Sequence, residues 1–534
     1  MSTIEEYKRA QAPLPTEYKA WELYGAGFEN VGKDDKPATL QLREPKDNEI
    51  LLRVDALGLC LSDMKIITQG GAHARLRGRD LEKEPTVLGH ECAATVVKVG
   101  ANWNGKFKVG ERYIVQADIY YKGEGFAFGY LIRGGLAQYA YLDERALEGD
   151  EGCYLLKVQD TTGYSASALS EPWACVEMSY CLENRTAPGG GKTLVVTDDA
   201  PLDLKFQYEH IRRDLVGLGE DMYDDIIVSK PTPQIVETLG KRLKKGACMF
   251  LLGAPAEIGA ASLDIGRIHY EDQRFYGGGE TLEAIAKANS RNDLKVGGHA
   301  LFIGAGGPMG QMHVQRAIEL STGPSVVVVT DLDRGRLDHI VNRFGDMAKR
   351  RGCVLHTMTP KEFASPDEMT AKIRALAPNG YDDICILAPV AAMVTGNLPL
   401  AADNALINVF AGVGIGSMAN VNVEDLCRGI KIIGSSGSRI SDLRKILELV
   451  EAKKLDTNLS VAAIGGLNAA KEGLVGLKEA RFPGKTVIYT QIPDLPLMSI
   501  DEVPAKIPAL KDKLTSDGAW TIEAEKALLE MYAQ

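Results

Sequence analysis

The sequence predicts an α/β chain of more than one domain. A β-rich first third precedes a doubly wound parallel sheet, with a partial second copy of that sheet between them. Three observations carry this prediction. At 534 residues the chain exceeds what one core packs. Its early apolar runs are short and lack a helical period; examples are Ile50-Leu51-Leu52-Arg53-Val54, Ala94-Thr95-Val96-Val97-Lys98-Val99 and Tyr113-Ile114-Val115. From Gly297 onward, strand patterns at 300–303, 325–330, 383–387 and 405–410 alternate with helical patterns at 309–320, 334–350 and 367–376. Such alternation predicts parallel strands joined by right-handed crossovers.

The intervening block repeats part of the strand-and-helix pattern found after Gly297. Tyr223-Asp224-Asp225-Ile226-Ile227-Val228 parallels Tyr381-Asp382-Asp383-Ile384-Cys385-Ile386. A strand with a glycine turn comes after each (249–253 and 408–412), then a cluster, Gly277-Gly278-Gly279 or Ser435-Ser436-Gly437, at the same offset. Upstream, Gly190-Gly191-Lys192-Thr193-Leu194-Val195-Val196 parallels Gly297-Gly298-His299-Ala300-Leu301-Phe302-Ile303. In the first copy the glycine turn is replaced by Thr197-Asp198-Asp199-Ala200-Pro201-Leu202-Asp203, whose three carboxylates would repel a pyrophosphate. That copy is therefore expected to have lost nucleotide binding and to serve as sheet extension or oligomer face.

Composition narrows the partners. Apolar residues make up 45% and charged residues 25%, as in ordinary globular enzymes. A net charge of −11 speaks against nucleic acid or an anionic membrane surface. No stretch approaches the length of an apolar membrane helix, and the first residues lack a signal-peptide pattern. Nine scattered cysteines suit a reducing cytoplasm, and Cys153, Cys248, Cys353, Cys385 and Cys427 read as small core residues.

Two constellations carry chemistry. Cys60, Gly89-His90-Glu91 and Glu171-Pro172 offer a thiolate, an imidazole and two carboxylates, the donor types of a catalytic zinc site. Farther on, an apolar strand runs into the glycine turn Gly304-Ala305-Gly306-Gly307-Pro308-Met309-Gly310, and Asp331 ends the next apolar run. That is a dinucleotide-site layout, with Ala305, Gly307 and Gly310 at its three key places. Asp331 is expected to bind the adenosine ribose and disfavour the extra phosphate of NADP. Arg334 and Arg336 after it would restore some NADP tolerance or cover the adenine. Val413, Gly414, Ser435 and Ser436 are candidate contacts for the nicotinamide end. A Lewis-acid metal and a nicotinamide on one chain imply hydride transfer at an alcohol carbon.

On these residues the chain resembles the zinc-dependent medium-chain alcohol and polyol dehydrogenases. The sorbitol dehydrogenase-like branch is nearest, because Ser170-Glu171-Pro172-Trp173-Ala174-Cys175-Val176 is similar to its Glu-Pro-x-Ala-Cys-Val segment. The resemblance implies a GroES-like β-barrel catalytic domain over 1–184, completed by 455–534, and an NAD-binding Rossmann domain over 297–454. The degenerate partial repeat occupies 185–296. It also implies zinc held by Cys60 and His90 with Glu91 and Glu171, one carboxylate bound directly and the other bound, exchanging or holding the zinc water. Ser62 is then a proton relay, its bland alternative being a turn serine. Lys65 would contact an anionic substrate group or simply be exposed, and Arg133 would be structural or border the substrate cleft. No structural zinc is expected, since 93–152 contains no cysteine.

The expected activity is hydride transfer between NAD and a secondary alcohol, a polyol, sugar or sugar phosphate. Ser62, Glu91 and Glu171 would be the catalytic residues, in a cytoplasmic homo-oligomer, dimer or tetramer. The alternatives are an NADPH-dependent ketose-phosphate or aldehyde reductase, and a zinc-free binding or scaffold protein. The tail from Ile492 carries no recognisable chemistry.

Overall fold

Ten consecutive buried residues form the strand Glu49–Gly58, the centre of the first of two units into which the chain divides. The computed structural model describes residues 3–10, 12–183, 185–199, 202–320 and 322–532, without the side chains of Thr3 and Ile4. Ala200 and Pro201 of the acidic segment 197–203 thus lie outside the described residues. The first unit comprises Met1–Glu177 and Gly437–Gln534, the second Met178–Ser436.

In the first unit an eight-stranded sheet runs in the order Leu155–Val158, Arg112–Val115, Glu91–Val99, Glu49–Gly58, Lys485–Tyr489, Val461–Gly466, Met498–Ser499, with Tyr139–Asp143 also on Glu49–Gly58. Strands from the last hundred residues therefore complete a sheet begun in the first sixty. Apolar side chains including Trp21, Trp103, Phe128 and Tyr154 fill its core. The tail has a structural task. Its helix Ile522–Tyr532 buries Glu525, whose carboxylate accepts N–H bonds from Tyr164 (2.5 Å) and Ser165 (2.7 Å) and the Tyr489 hydroxyl (2.9 Å). Those amides open the helix Tyr164–Ala168, where a negative charge is favoured and free N–H groups need acceptors. Helix Ile440–Glu451 also falls in this unit.

The second unit holds two parallel sheets. One is ordered Glu209–Ile211, Thr193–Val196, Tyr223–Ser229, Leu243–Leu252, Arg274–Tyr276. The other is ordered Val354–Met358, Val326–Thr330, His299–Ile303, Tyr381–Ile386, Ala401–Val409, Lys431–Ile433. The strands Thr193–Val196, His299–Ile303 and Val326–Thr330 are near-continuous apolar runs, as expected where both faces are covered, whereas the edge strand Glu209–Ile211 is polar and largely exposed. The correspondence between copies extends to irregularities. Both Tyr-Asp-Asp strands shift register between the tyrosine and the second aspartate. That aspartate pairs with arginine in both copies, Asp225 with Arg185 and Asp383 with Arg291. It also accepts one backbone N–H each, from Gly189 and Lys295, both at 2.8 Å.

Helix Pro308–Glu319 comes directly after the strand His299–Ile303, and its His313 is fully buried. The Tyr180 hydroxyl stands 2.6 Å from His313 Nδ1, and the Phe410 ring packs edge-on at 4.3 Å. Among the described residues, no helix is long and apolar enough to cross a membrane.

Burial, with Arg316 adding, pushes the His313 imidazole down to about 3. An unfolded histidine titrates near 6.5, so between these values the unfolded chain binds a proton that the folded one refuses. The stability from keeping His313 neutral is whole above pH 6.5 and declines as pH falls toward 3, by up to roughly 4 kcal/mol. We expect the urea midpoint of His313→Gln to fall less steeply than that of the parent over this range. Parallel pH profiles would contradict this account.

Candidate functional site

Strand register builds the metal-donor cluster. Glu49–Gly58 pairs antiparallel with Glu91–Val99 so that Gly58 lies opposite Glu91, and on its other side Gly58 lies opposite Val487. Cys60 comes two residues after Gly58 and His90 immediately precedes Glu91, so one sheet end gathers all three donors. Their ligand atoms lie within 4.8 Å of one another. His90 and Glu91 are buried, Cys60 half-buried.

Cys60 is also the N-cap of helix Leu61–Gln69. Asp63, in its first turn, accepts from Cys60 N at 3.2 Å and from Gly89 N at 3.3 Å, fixing both donor loops with one buried carboxylate. Asp63 Oδ1 also stands 3.4 Å from His90 Nδ1, an ionic approach longer than a good hydrogen bond. His90 Nε2 thereby faces the cluster, 3.2 Å from Ser62 Oγ, and Ser62 donates to Cys60 Sγ at 3.0 Å. Burial opposes a charge on His90, yet Asp63 and Cys60 outweigh it and raise its pKa well above the usual imidazole value.

Lys485, which no sequence motif marks, opens the strand Lys485–Tyr489 and pairs with Glu91 Oε1 while almost wholly buried. Burial works against its ammonium, and Glu91 overcomes that and holds its pKa above normal. Glu91 Oε2 is buried with no hydrogen-bond partner. A buried carboxylate oxygen lacking a donor costs free energy unless a cation meets it, so this donor set fits a metal ion.

Glu171 lies outside the three-donor cluster. It is buried on helix Ser170–Met178 and within electrostatic reach of His90 and Glu91. Burial pushes its carboxyl up to about 7; His90 opposes the shift and Glu91 adds to it. Of the other candidates, Lys65 is exposed, and Arg133 pairs with Glu22 at 2.6 Å.

The glycine turn closes around Asp331. Gly304 adopts φ +70°, and Gly306 N donates to Asp331 Oδ2 at 2.7 Å. A Cβ on Gly306 would lie 2.6 Å from Asp331 Cγ, and one on Gly310 would lie 2.5 Å from Ala305 Cα. Glycine is required at both places by close packing, and Ala305 is itself fully buried beneath the turn. Gly307 caps helix Pro308–Glu319, with only Arg336 Nη1 near its missing Cβ, at 3.8 Å. Its helix-start amides thus stay approachable by an anion. Val413 packs its side chain into the core, leaving only its backbone for a ligand. Ser435 Oγ is buried without a partner.

In the first copy, aspartates of the corresponding turn form charge pairs at the surface. Asp198 binds Arg213 at 2.9 Å, and Asp199 approaches Lys230 at 3.5 Å.

Residues 46–148 match the alcohol dehydrogenase GroES-like domain. The chain is 25% identical to the L-sorbose 1-phosphate reductase of Klebsiella pneumoniae, over 96% of this chain and 97% of that protein. It is 24% identical to the mannitol-1-phosphate 5-dehydrogenase of Aliivibrio fischeri, over 94% and 96%. The fold is shared with the crystal structure of 2R,3R-butanediol dehydrogenase from Bacillus subtilis, at TM-score 0.54 and 15% identity over 89% of this chain and 99% of that one.

The buried pair predicts a stability effect. Lys485→Met, which strands the Glu91 charge, should destabilise metal-stripped protein by about 3 kcal/mol in urea unfolding. Adding Glu91→Gln should recover much of that loss, and equal stabilities for all three proteins would refute the pairing.

Proposed function

We propose that the chain is a zinc-dependent alcohol and polyol dehydrogenase of the medium-chain kind, and that it moves a hydride between NAD and the secondary alcohol carbon of a sugar phosphate, polyol or sugar. The observation that carries this reading is the Cys60, His90, Glu91 cluster with its buried, partnerless Glu91 oxygen.

Cys60 and His90 would hold one zinc, with Glu91 or Glu171 as the carboxylate donor. Zinc held there would supply Lewis-acid polarisation of an alcohol oxygen, and a bound nicotinamide would supply the hydride acceptor. The residues then divide the remaining work. Asp63 fixes the two donor loops through Cys60 N and Gly89 N, so the donors are arranged before a metal arrives. Ser62 Oγ, which lies against Cys60 and His90, would take the substrate hydroxyl proton and pass it on. Glu171, buried on helix Ser170–Met178 within electrostatic reach of His90 and Glu91, would be the alternate carboxylate donor.

The glycine turn supports NAD binding from 305–310, with Gly306, Gly307, Pro308 and Met309 at the helix start and Ala305 and Gly310 packed behind them. Asp331 would take the ribose hydroxyls. Its two existing bonds, from Gly306 N and from Asp333 N at 3.0 Å, leave each oxygen lone pairs to spare. Arg336 beside Gly307 favours a second reading, in which NADPH reduces a ketose phosphate. The names of the two full-length relatives, one reductase and one dehydrogenase of phosphorylated sugars or polyols, support the phosphorylated substrate class.

The test is a panel of polyols, sugars and their phosphates, with NAD and NADP, monitored by reduced-nucleotide absorbance alongside zinc analysis. We expect about one zinc per chain, turnover of a phosphorylated member, and loss of both in His90→Ala. Ser62→Ala should retain zinc and lose roughly a hundredfold in kcat. Zinc-free protein inert toward every member with either nucleotide would sink the proposal.

A further inference from the structure

The two parallel sheets of the second unit meet along a symmetric seam. Equivalent residues of the copies, such as Tyr223 and Tyr381, lie 158 positions apart. Strand Ala260–Asp264 pairs antiparallel with Met418–Asn422, and the central pair, Ser262 with Asn420, joins positions related by that same offset. The outer pairs exchange equivalents, Ala260 with Asn422 and Asp264 with Met418. A backbone bond beyond the strands is also reciprocal. Ile265 N donates to Ser417 O at 3.0 Å, and Val423 N donates to Gly259 O at 2.9 Å. One chain thus contains the self-complementary contact that ordinarily joins two identical subunits.

Across this seam the copies are not equal. The turn at 410–417, which ends strand Ala401–Val409, is gripped from the first copy at several points. Asp264 Oδ2 accepts from Gly416 N at 2.9 Å while its Oδ1 caps helix Ile265–Tyr270 through Arg267 N at 3.2 Å. Asn422, at the equivalent position, does not cap its helix. Gly266 lies so near the turn that a Cβ would strike Gly414 O and lie 2.6 Å from Ile415 Cα. His269 Nδ1 is 3.0 Å from Val409 O, and its Cα lies 2.8 Å from where a Gly434 Cβ would sit, one residue before Ser435.

We propose that the first copy is a partner built into the chain, whose helix Ile265–Tyr270 holds the turn 410–417 and the Gly434–Ser435 corner in the shape that receives the nicotinamide end of the cofactor. The inference rests on the reading of the second copy as NAD-binding. Asp264 and Gly266 are then positioning residues: they act on the cofactor through Gly416, Gly414 and Ile415 without touching it. Loss of nucleotide binding in the first copy leaves this task intact, because the acidic turn and the seam use different residues.

The test uses full-length protein, with NADH and NADPH titrated by fluorescence, and thermal midpoint and zinc content measured in parallel. Gly266→Ala, which pushes on the turn, should weaken NADH binding at least about fivefold with zinc content unchanged. Asp264→Ala should do the same and Asp264→Asn, which keeps an acceptor for Gly416 N, should stay near the parent. That pair also decides the matter if Gly266→Ala fails to fold. Parent-like NADH affinity in Gly266→Ala and Asp264→Ala, whatever happens to the thermal midpoint, would overturn the inference while leaving the functional reading standing. A parent protein that binds neither nucleotide would instead remove the functional reading, and this inference with it.

Discussion

The metal-donor cluster depends on how the strand Glu49–Gly58 is registered against its two neighbours. Gly58 sits opposite Glu91 on one side and Val487 on the other, and this places Glu91 within reach of Lys485 from the far end of the chain. A one-residue slip on either side would turn Glu91 or Lys485 to the opposite face. Gly58 has no side chain where one would collide with Glu91 Oε2 and Leu169 Cδ2. Glycine there is what lets a carboxylate be buried at the strand crossing. The carboxylate then needs a cation, and Lys485 meets one oxygen while the other stays without a hydrogen-bond partner.

This arrangement explains what the sequence revealed and what it did not. Cys60, His90 and Glu91 were legible because their donor types fall in short, recognisable motifs. Asp63 carries a local signal of its own: a carboxylate three residues after an N-cap closes a capping box, and here that box locks a donor loop. Lys485 has none. It lies 394 residues from Glu91, and only sheet pairing brings them together. Glu171 was visible as part of a motif, but motif spacing carries no distance, and the structure sets it beside the cluster rather than within it.

The parallel-sheet half was more legible, since alternating strands and helices are written locally. Helices at Pro308–Glu319, Arg334–Arg351 and Pro366–Leu376 start where glycine, aspartate or serine caps precede a good first-turn residue. The alanine in the glycine turn departs from the literal motif for a packing reason. Gly310 is pressed against Ala305, so the close approach is supplied by the later glycine while Gly304 takes the left-handed bend. Sequence alone could not give this, because it concerns which of two touching residues lacks a Cβ.

The duplication shows how one fold's tasks separate once a gene carries two copies. Nucleotide binding needs a glycine turn, and the described part of the first copy's turn carries instead the charge pairs Asp198–Arg213 and Asp199–Lys230. The seam needs only backbone pairing and apolar contact, and both copies keep those to the level of reciprocal hydrogen bonds. An exposed sheet edge invites pairing with any other chain. Pairing the strands Ala260–Asp264 and Met418–Asn422 within one chain gives each a partner, at an effective concentration no second subunit can match. A turn that must hold one shape for a cofactor gains from such a neighbour even when the neighbour binds nothing itself. Asp264 shows this division: the residue that caps its own helix in the first copy is the one that holds Gly416 in the other.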